Sequence, residues 1–98
     1  MKVAVLGASG GMGSFFVRYF LERGYTVRGS DPRGRGRRSV GDLQRRLVSV
    51  SSNGEAVRGV DLTLMAVPMD DTLKVAEEVI PKMKRGSTLV EISSVKGG

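Results

Sequence analysis

Residues 7–13, Gly7-Ala8-Ser9-Gly10-Gly11-Met12-Gly13, decide how this chain is read. The stretch follows Lys2-Val3-Ala4-Val5-Leu6, a short apolar run with β-branched residues that reads as a fully buried parallel strand. It precedes a helical pattern running from about Gly11 to Arg23. A glycine-rich segment between a strand and a helix has a definite physical use. The start of a helix offers backbone N–H groups without intrahelical partners and the positive end of the helix dipole. Glycines let a phosphate come close to that backbone. Here Gly7 permits a tight turn after the strand, Gly10 allows the close approach, and Gly13 lets the helix pack on the strand. The spacing departs from the standard dinucleotide pattern GxGxxG: Ala8 stands where its first glycine would be, and Gly7, Gly10 and Gly13 form GxxGxxG. Alanine tolerates positive φ poorly, so the turn is expected to differ slightly. The stretch as a whole, Gly7, Ala8, Ser9, Gly10, Gly11, Met12 and Gly13, is expected to hold the phosphates of a dinucleotide.

Working outward, Met12, Phe15, Phe16, Tyr19 and Phe20 recur at helical spacing and predict the buried face of the first helix, which Gly24 closes as a C-cap. Tyr25 to Ser30 reads as a second strand, stopped at Asp31-Pro32. Residues 33–41 read as a Gly- and Arg-rich loop, and 42–46 as a turn of helix. Leu47 to Val50 is a third strand, and Ser51, Ser52 and Asn53 are N-cap candidates for a short helix through Val57-Arg58. Asp61 to Val67 is a fourth strand, ended by Pro68. Asp70 is the expected N-cap of the next helix, with Asp71 in its first turn and Leu73, Ala76, Val79, Ile80 and Met83 at helical spacing. Pro81 closes or kinks that helix, and Ser87 to Ile92 is a fifth strand. Strands alternating with helices imply an α/β fold. Right-handed crossovers make it a doubly wound parallel sheet of the Rossmann type, five strands in the order 3-2-1-4-5, forming a single domain over residues 1–98.

Two further positions fit a dinucleotide. Asp31 ends the second strand about 20 residues after the glycines, where a carboxylate accepts hydrogen bonds from the adenosine ribose hydroxyls. That favours NAD over NADP, whereas Arg33, with Arg35 beside it, offers a partner for a 2′-phosphate. Val67 and Pro68 follow the fourth strand, at the switch point beside the first, and are expected next to the nicotinamide half.

Composition narrows the chemistry. The chain has no Cys and no His, which excludes disulfides, thiolate metal sites and an imidazole base. Its net charge is +6, with much of the excess in Arg33, Arg35, Arg37, Arg38, Arg45 and Arg46. Such a cluster attracts anions, but no aromatic residues are interleaved there, so nucleic-acid binding ranks below cofactor binding. The apolar start is too short for a signal peptide and no stretch is long enough to span a bilayer, so the chain reads as cytoplasmic with no membrane partner.

Taken with Gly24-Tyr25-Thr26-Val27, Asp31, Asp61 through Val67-Pro68, and Glu91-Ile92-Ser93-Ser94-Val95-Lys96, the glycine stretch resembles the N-terminal domain of prephenate dehydrogenases over the whole chain. Ser-Val-Lys directly after the fifth strand is its most specific part. The resemblance implies an NAD(P)-dependent oxidoreductase of tyrosine biosynthesis, which decarboxylates prephenate oxidatively to 4-hydroxyphenylpyruvate, with Ser94 in the active site near the substrate hydroxyl. The family's catalytic histidine and its helical dimerisation domain have no counterpart in residues 1–98. The resemblance therefore implies a cofactor domain that meets prephenate only when a C-terminal domain is supplied, and that is compatible with a homodimer. Reductases that pass hydride between the deazaflavin F420 and NADP resemble the first half of the chain, including the basic run after the second strand. A module that senses NAD without chemistry is the further alternative.

Overall fold

The first strand, β1 (Lys2–Leu6), becomes the middle of the molecule because nothing in it needs water: Val3, Ala4, Val5 and Leu6 are all 0% exposed. The computed structural model describes residues 1–8, 11–30, 47–50 and 52–92. Within them β1 is flanked by β2 (Thr26–Ser30) and β4 (Leu62–Met65), with β3 (Leu47–Val50) and β5 (Thr88–Glu91) at the edges. The sheet is parallel throughout, in the order β3-β2-β1-β4-β5. The α/β Rossmann-like parallel sheet in one domain is thus what the alternation of strand and helix signals anticipates. The strands are shorter than their apolar runs. Tyr25 falls outside β2 because its N–H is taken by the carbonyl of Phe20, in the cap of the preceding helix.

Alternate residues of β1 face opposite layers. Val3 and Val5 pack with Val27 and Leu64 under helix α1 (Gly11–Glu22), which contributes Val17, Phe20 and Leu21. Ala4 and Leu6 pack with Met65 on the other side, under helices α2 (Asn53–Val57) and α3 (Thr72–Val79), where Val57, Val75 and Val79 complete the cluster.

The expected face of α1 is corrected by the structure. Gly13, Val17, Phe20 and Leu21 are buried and Phe16 is half-buried. Met12, Phe15 and Tyr19 are 48%, 60% and 37% exposed. Residues 13, 16, 17, 20 and 21 match the same helical spacing one residue further on. The stripe that wins is the one that brings Gly13, which has no side chain, against the sheet. The outer rings pack on one another instead: Phe15 meets Phe16 edge-on at 5.0 Å, and the Arg23 guanidinium lies 3.8 Å from the Tyr19 ring centre.

The helix ends follow local chemistry. Gly24 takes φ 88, its N–H bonds the carbonyl of Leu21, that of Tyr25 bonds the carbonyl of Phe20, and the Phe20 and Tyr25 rings meet at 5.7 Å. These are the paired bonds and apolar contact of a Schellman cap. Of the three N-cap candidates before α2, Ser52 is the cap, its hydroxyl accepting from the Glu55 N–H at 3.2 Å. Before α3 the structure differs from expectation. Met69–Asp71 form a 3-10 turn, the N-cap position is Asp71 rather than Asp70, and neither carboxylate makes a side-chain cap bond. Pro81 lies in a second 3-10 turn, Ile80–Lys82, so the α-helix stops at Val79. The expected loop over 33–41 and helical turn over 42–46 lie outside the described residues. No described helix is long and apolar enough to cross a membrane.

Candidate functional site

The carboxyl ends of β1, β2 and β4 are knitted together by backbone bonds. The N–H groups of Gly7 and Ala8 both donate to the Ser30 carbonyl oxygen, at 2.8 and 3.0 Å, and the Ala66 N–H donates to the Leu6 carbonyl at 2.9 Å. Gly7 carries the turn with φ 82, a conformation that only glycine adopts without strain. A Cβ at Gly7 would stand 3.0 Å from the Ala66 carbonyl carbon, closer still to its oxygen, and 3.5 Å from the Val67 nitrogen. Gly7 and Val67 are therefore immediate neighbours at the carboxyl edge of the sheet.

Gly13 is held more tightly. A Cβ there would lie 2.8 Å from the Gly7 carbonyl carbon and 3.1 Å from the Ala8 Cα, and nearer yet to the Gly7 oxygen. The first turn of α1 consequently rests directly on the Gly7–Ala8 peptide. Ala8 faces inward: it is 2% exposed, its methyl packs in the cluster with Val17 and Phe20, and its N–H is committed to Ser30. Its role in the turn is structural, with the positive φ at Gly7, and glycine would leave the buried methyl's place empty. Gly11 is the opposite case. It is exposed, and a Cβ on it would meet nothing within 4 Å. Beside it Met12 is half-exposed at the rim.

The charges around this mouth are asymmetric. No acidic residue lies in the first turn of α1. The turn after β4 carries Asp70 and Asp71, both exposed, beyond exposed Pro68 and half-buried Val67. An anion at the carboxyl edge of the sheet is thus favoured at the start of α1, by the dipole and partnerless N–H groups that a helix start offers, over the acidic turn before α3. Backbone packed closely at Gly7 and Gly13, with open space at Gly11, fits the approach of a dinucleotide's pyrophosphate. Ser9, Gly10, Asp31, Arg33 and Ser94 lie outside the described residues.

Two residues behind the mouth have a part the sequence does not announce. Ser30 and Asn53 are buried at 0% and 8% exposure, and the Ser30 hydroxyl donates to Asn53 Oδ1 at 2.6 Å. Asn53 Nδ2 in turn donates to Glu78 Oε1 on α3 at 3.3 Å. In sequence Asn53 reads only as an N-cap candidate, and Ser30 only as the last residue of a strand. Among the described residues no cluster of acidic side chains is arranged to hold a metal ion. Asp61 sits at the opposite, amino edge of the sheet. The Lys84 ammonium donates to it at 2.7 Å and the Lys2 backbone N–H at 2.9 Å, and together they hold its pKa below the ordinary carboxylate value.

Comparison with known proteins gives three findings. A family model described as NADP oxidoreductase, coenzyme F420-dependent, matches residues 2–95. The chain is 30% identical over 98 residues to a probable arogenate/prephenate dehydrogenase of Methanocaldococcus jannaschii, covering 98% of this chain and 21% of that protein. Among solved structures, the imine reductase of Myxococcus stipitatus in complex with NADP+ matches with a TM-score of 0.79 at 25% identity, over 96% of this chain and 32% of that one. A pyrroline carboxylate reductase of Plasmodium falciparum with NADP bound matches with a TM-score of 0.75 over 95% of this chain and 33% of that one, and its 22% identity speaks for the fold alone. The chain therefore spans about a fifth of the curated relative, at 21%, and about a third of these structures, at 32% and 33%.

Proposed function

Since the chain belongs to the family described as NADP oxidoreductase, coenzyme F420-dependent, we propose that it binds NAD(P) across the mouth formed by Gly7 to Gly13 and serves as the cofactor domain of a hydride-transferring oxidoreductase. One observation carries this reading. The start of α1 is seated on the Gly7–Ala8 peptide through Gly13, with open space at Gly11 and no carboxylate in its first turn. In this proposal Ser9, Gly10 and Gly11 surround the pyrophosphate, with Met12 at its rim, and Gly7, Ala8 and Gly13 set the shape of the turn. Asp31 holds the adenosine ribose, Arg33 lies beside it, and Val67 with Pro68 borders the nicotinamide half. Bound NAD(P) supplies the hydride chemistry, accepting or releasing hydride at the nicotinamide ring. The chain's own part is to bind and orient it.

For the substrate, the proposal is prephenate: oxidative decarboxylation to 4-hydroxyphenylpyruvate, with Ser94 in contact with the substrate hydroxyl and a second, helical domain completing the site. It is supported by the Ser94-Val95-Lys96 stretch and by the likeness to the probable arogenate/prephenate dehydrogenase of M. jannaschii. The family match favours a second reading, a reductase exchanging hydride between coenzyme F420 and NADP. Fluorescence titration with NADH and NADPH tests the shared core of both: binding of neither cofactor refutes it. A strong preference for NADPH selects the coenzyme F420 reading, while comparable or tighter NADH binding, with Asp31 accepting from the ribose, selects the dehydrogenase.

A further inference from the structure

Ser30 ends β2 fully buried and serves two parts of the fold at once. Its carbonyl oxygen accepts both N–H groups of the glycine turn, Gly7 at 2.8 Å and Ala8 at 3.0 Å. Its hydroxyl donates to Asn53 Oδ1 at 2.6 Å. A strand-end serine can satisfy its hydroxyl on nearby backbone. This one instead reaches a residue 23 positions away, whose amide is itself anchored by Glu78 at 3.3 Å. A buried amide engaged through both its oxygen and its nitrogen is confined to one orientation, and low local dielectric strengthens each bond in such a chain.

We infer that Asn53 is a positioning residue for the dinucleotide mouth. By holding the Ser30 hydroxyl it orients the Ser30 peptide, and thereby the carbonyl that pins the Gly7 and Ala8 N–H groups. The first turn of α1 rests on that same peptide through Gly13, so the shape presented to the phosphates depends on a side chain that does not reach them. The inference rests on reading the mouth as a phosphate site. It deepens that reading by assigning the turn's geometry to the Ser30–Asn53–Glu78 chain.

The test uses Ser30→Ala, Asn53→Ala and Ser30→Thr, the last retaining the hydroxyl, with two readouts. Amide hydrogen exchange is followed at Gly7 and Ala8, against Ala66, whose N–H bonds Leu6 at the same edge of the sheet. NADPH affinity is followed by fluorescence titration. Loss of one buried hydrogen bond is expected to speed exchange at Gly7 and Ala8 roughly tenfold relative to Ala66, and to weaken NADPH binding about five- to tenfold. Ser30→Thr is expected to restore both. Exchange rising equally at Gly7, Ala8 and Ala66, or Ser30→Ala and Ser30→Thr behaving alike, overturns the inference. A wild-type chain that binds neither NADPH nor NADH refutes the phosphate reading instead, and the exchange result still decides whether Asn53 governs the turn.

Discussion

Replacing Gly13 by alanine separates the requirements of helix and site more sharply than any other single change. Within a helix, Gly→Ala alone is worth about 1 kcal/mol in favour of alanine. At Gly13 the added methyl would stand 2.8 Å from the Gly7 carbonyl carbon and 3.1 Å from the Ala8 Cα. Carbon atoms prefer about 3.5–4.0 Å and the Gly7 carbonyl oxygen is nearer still, so the start of α1 must lift by about 1 Å or more. The obstructing atoms are backbone, and no rotamer change relieves them. Overpacking of this kind costs about 1–3 kcal/mol, which outweighs the helix preference at its upper end and roughly cancels it at its lower. For a domain of this size each kcal/mol moves Tm by about 4–8 °C, so a fall of up to about 15 °C is expected. Affinity is expected to fall further than stability. Lifting α1 draws its N–H donors away from the phosphates, and each charge-assisted bond lost costs about 1.5–3 kcal/mol, or roughly tenfold to a hundredfold in Kd. Differential scanning fluorimetry and NADPH titration measure the two effects, and Gly11→Ala is the control, because its methyl meets nothing within 4 Å and should leave Tm unchanged or higher. A Gly13→Ala chain that keeps wild-type Kd for NADPH would refute the reasoning, whatever its Tm.

Other perturbations reach different parts of the argument. Asp31→Ala should weaken NADH binding by roughly 1–3 kcal/mol while affecting NADPH less; equal losses for both would remove Asp31 from the ribose. Leu21→Ala deletes a side chain that is 0% exposed and should cost about 2–5 kcal/mol in urea unfolding, whereas Leu73→Ala, at a position 71% exposed, should stay within about 0.5 kcal/mol of wild type. Asp61 is held below its ordinary pKa by Lys84 and the Lys2 N–H. Its contribution is therefore present above the unfolded carboxylate value and lost as pH falls through the folded one. The Tm difference between wild type and Asp61→Asn should accordingly be largest near neutrality and vanish in strong acid, and a gap that persists there would deny the carboxylate this role.

Much of the fold was legible in the sequence because it depends on neighbours along the chain. The run Val3-Ala4-Val5-Leu6 has no polar side chain, and such a strand must be covered on both faces. Gly24 stops α1 by a cap whose bonds span only a few residues. Gly7 to Gly13 shows itself as a turn between strand and helix for the same reason, and alternating strands and helices restrict the sheet to a small set of topologies. What lay beyond the sequence depends on contacts between residues far apart. Two overlapping stripes on α1 satisfy the same helical spacing, and counting apolar residues selects the aromatic one. The sheet selects the other, because the helix can approach closely only at Gly13, which contributes nothing to an apolar count. The bonds from Ser30 to Asn53 and from Asn53 to Glu78 join β2, α2 and α3, and Asp61 meets Lys84 across 23 residues. None of these pairings has a periodicity or motif to betray it. Backbone propensity and hydrophobic pattern are local quantities carried by the sequence itself, whereas the choice of helix face and the partner of each buried polar group are settled only when the layers close.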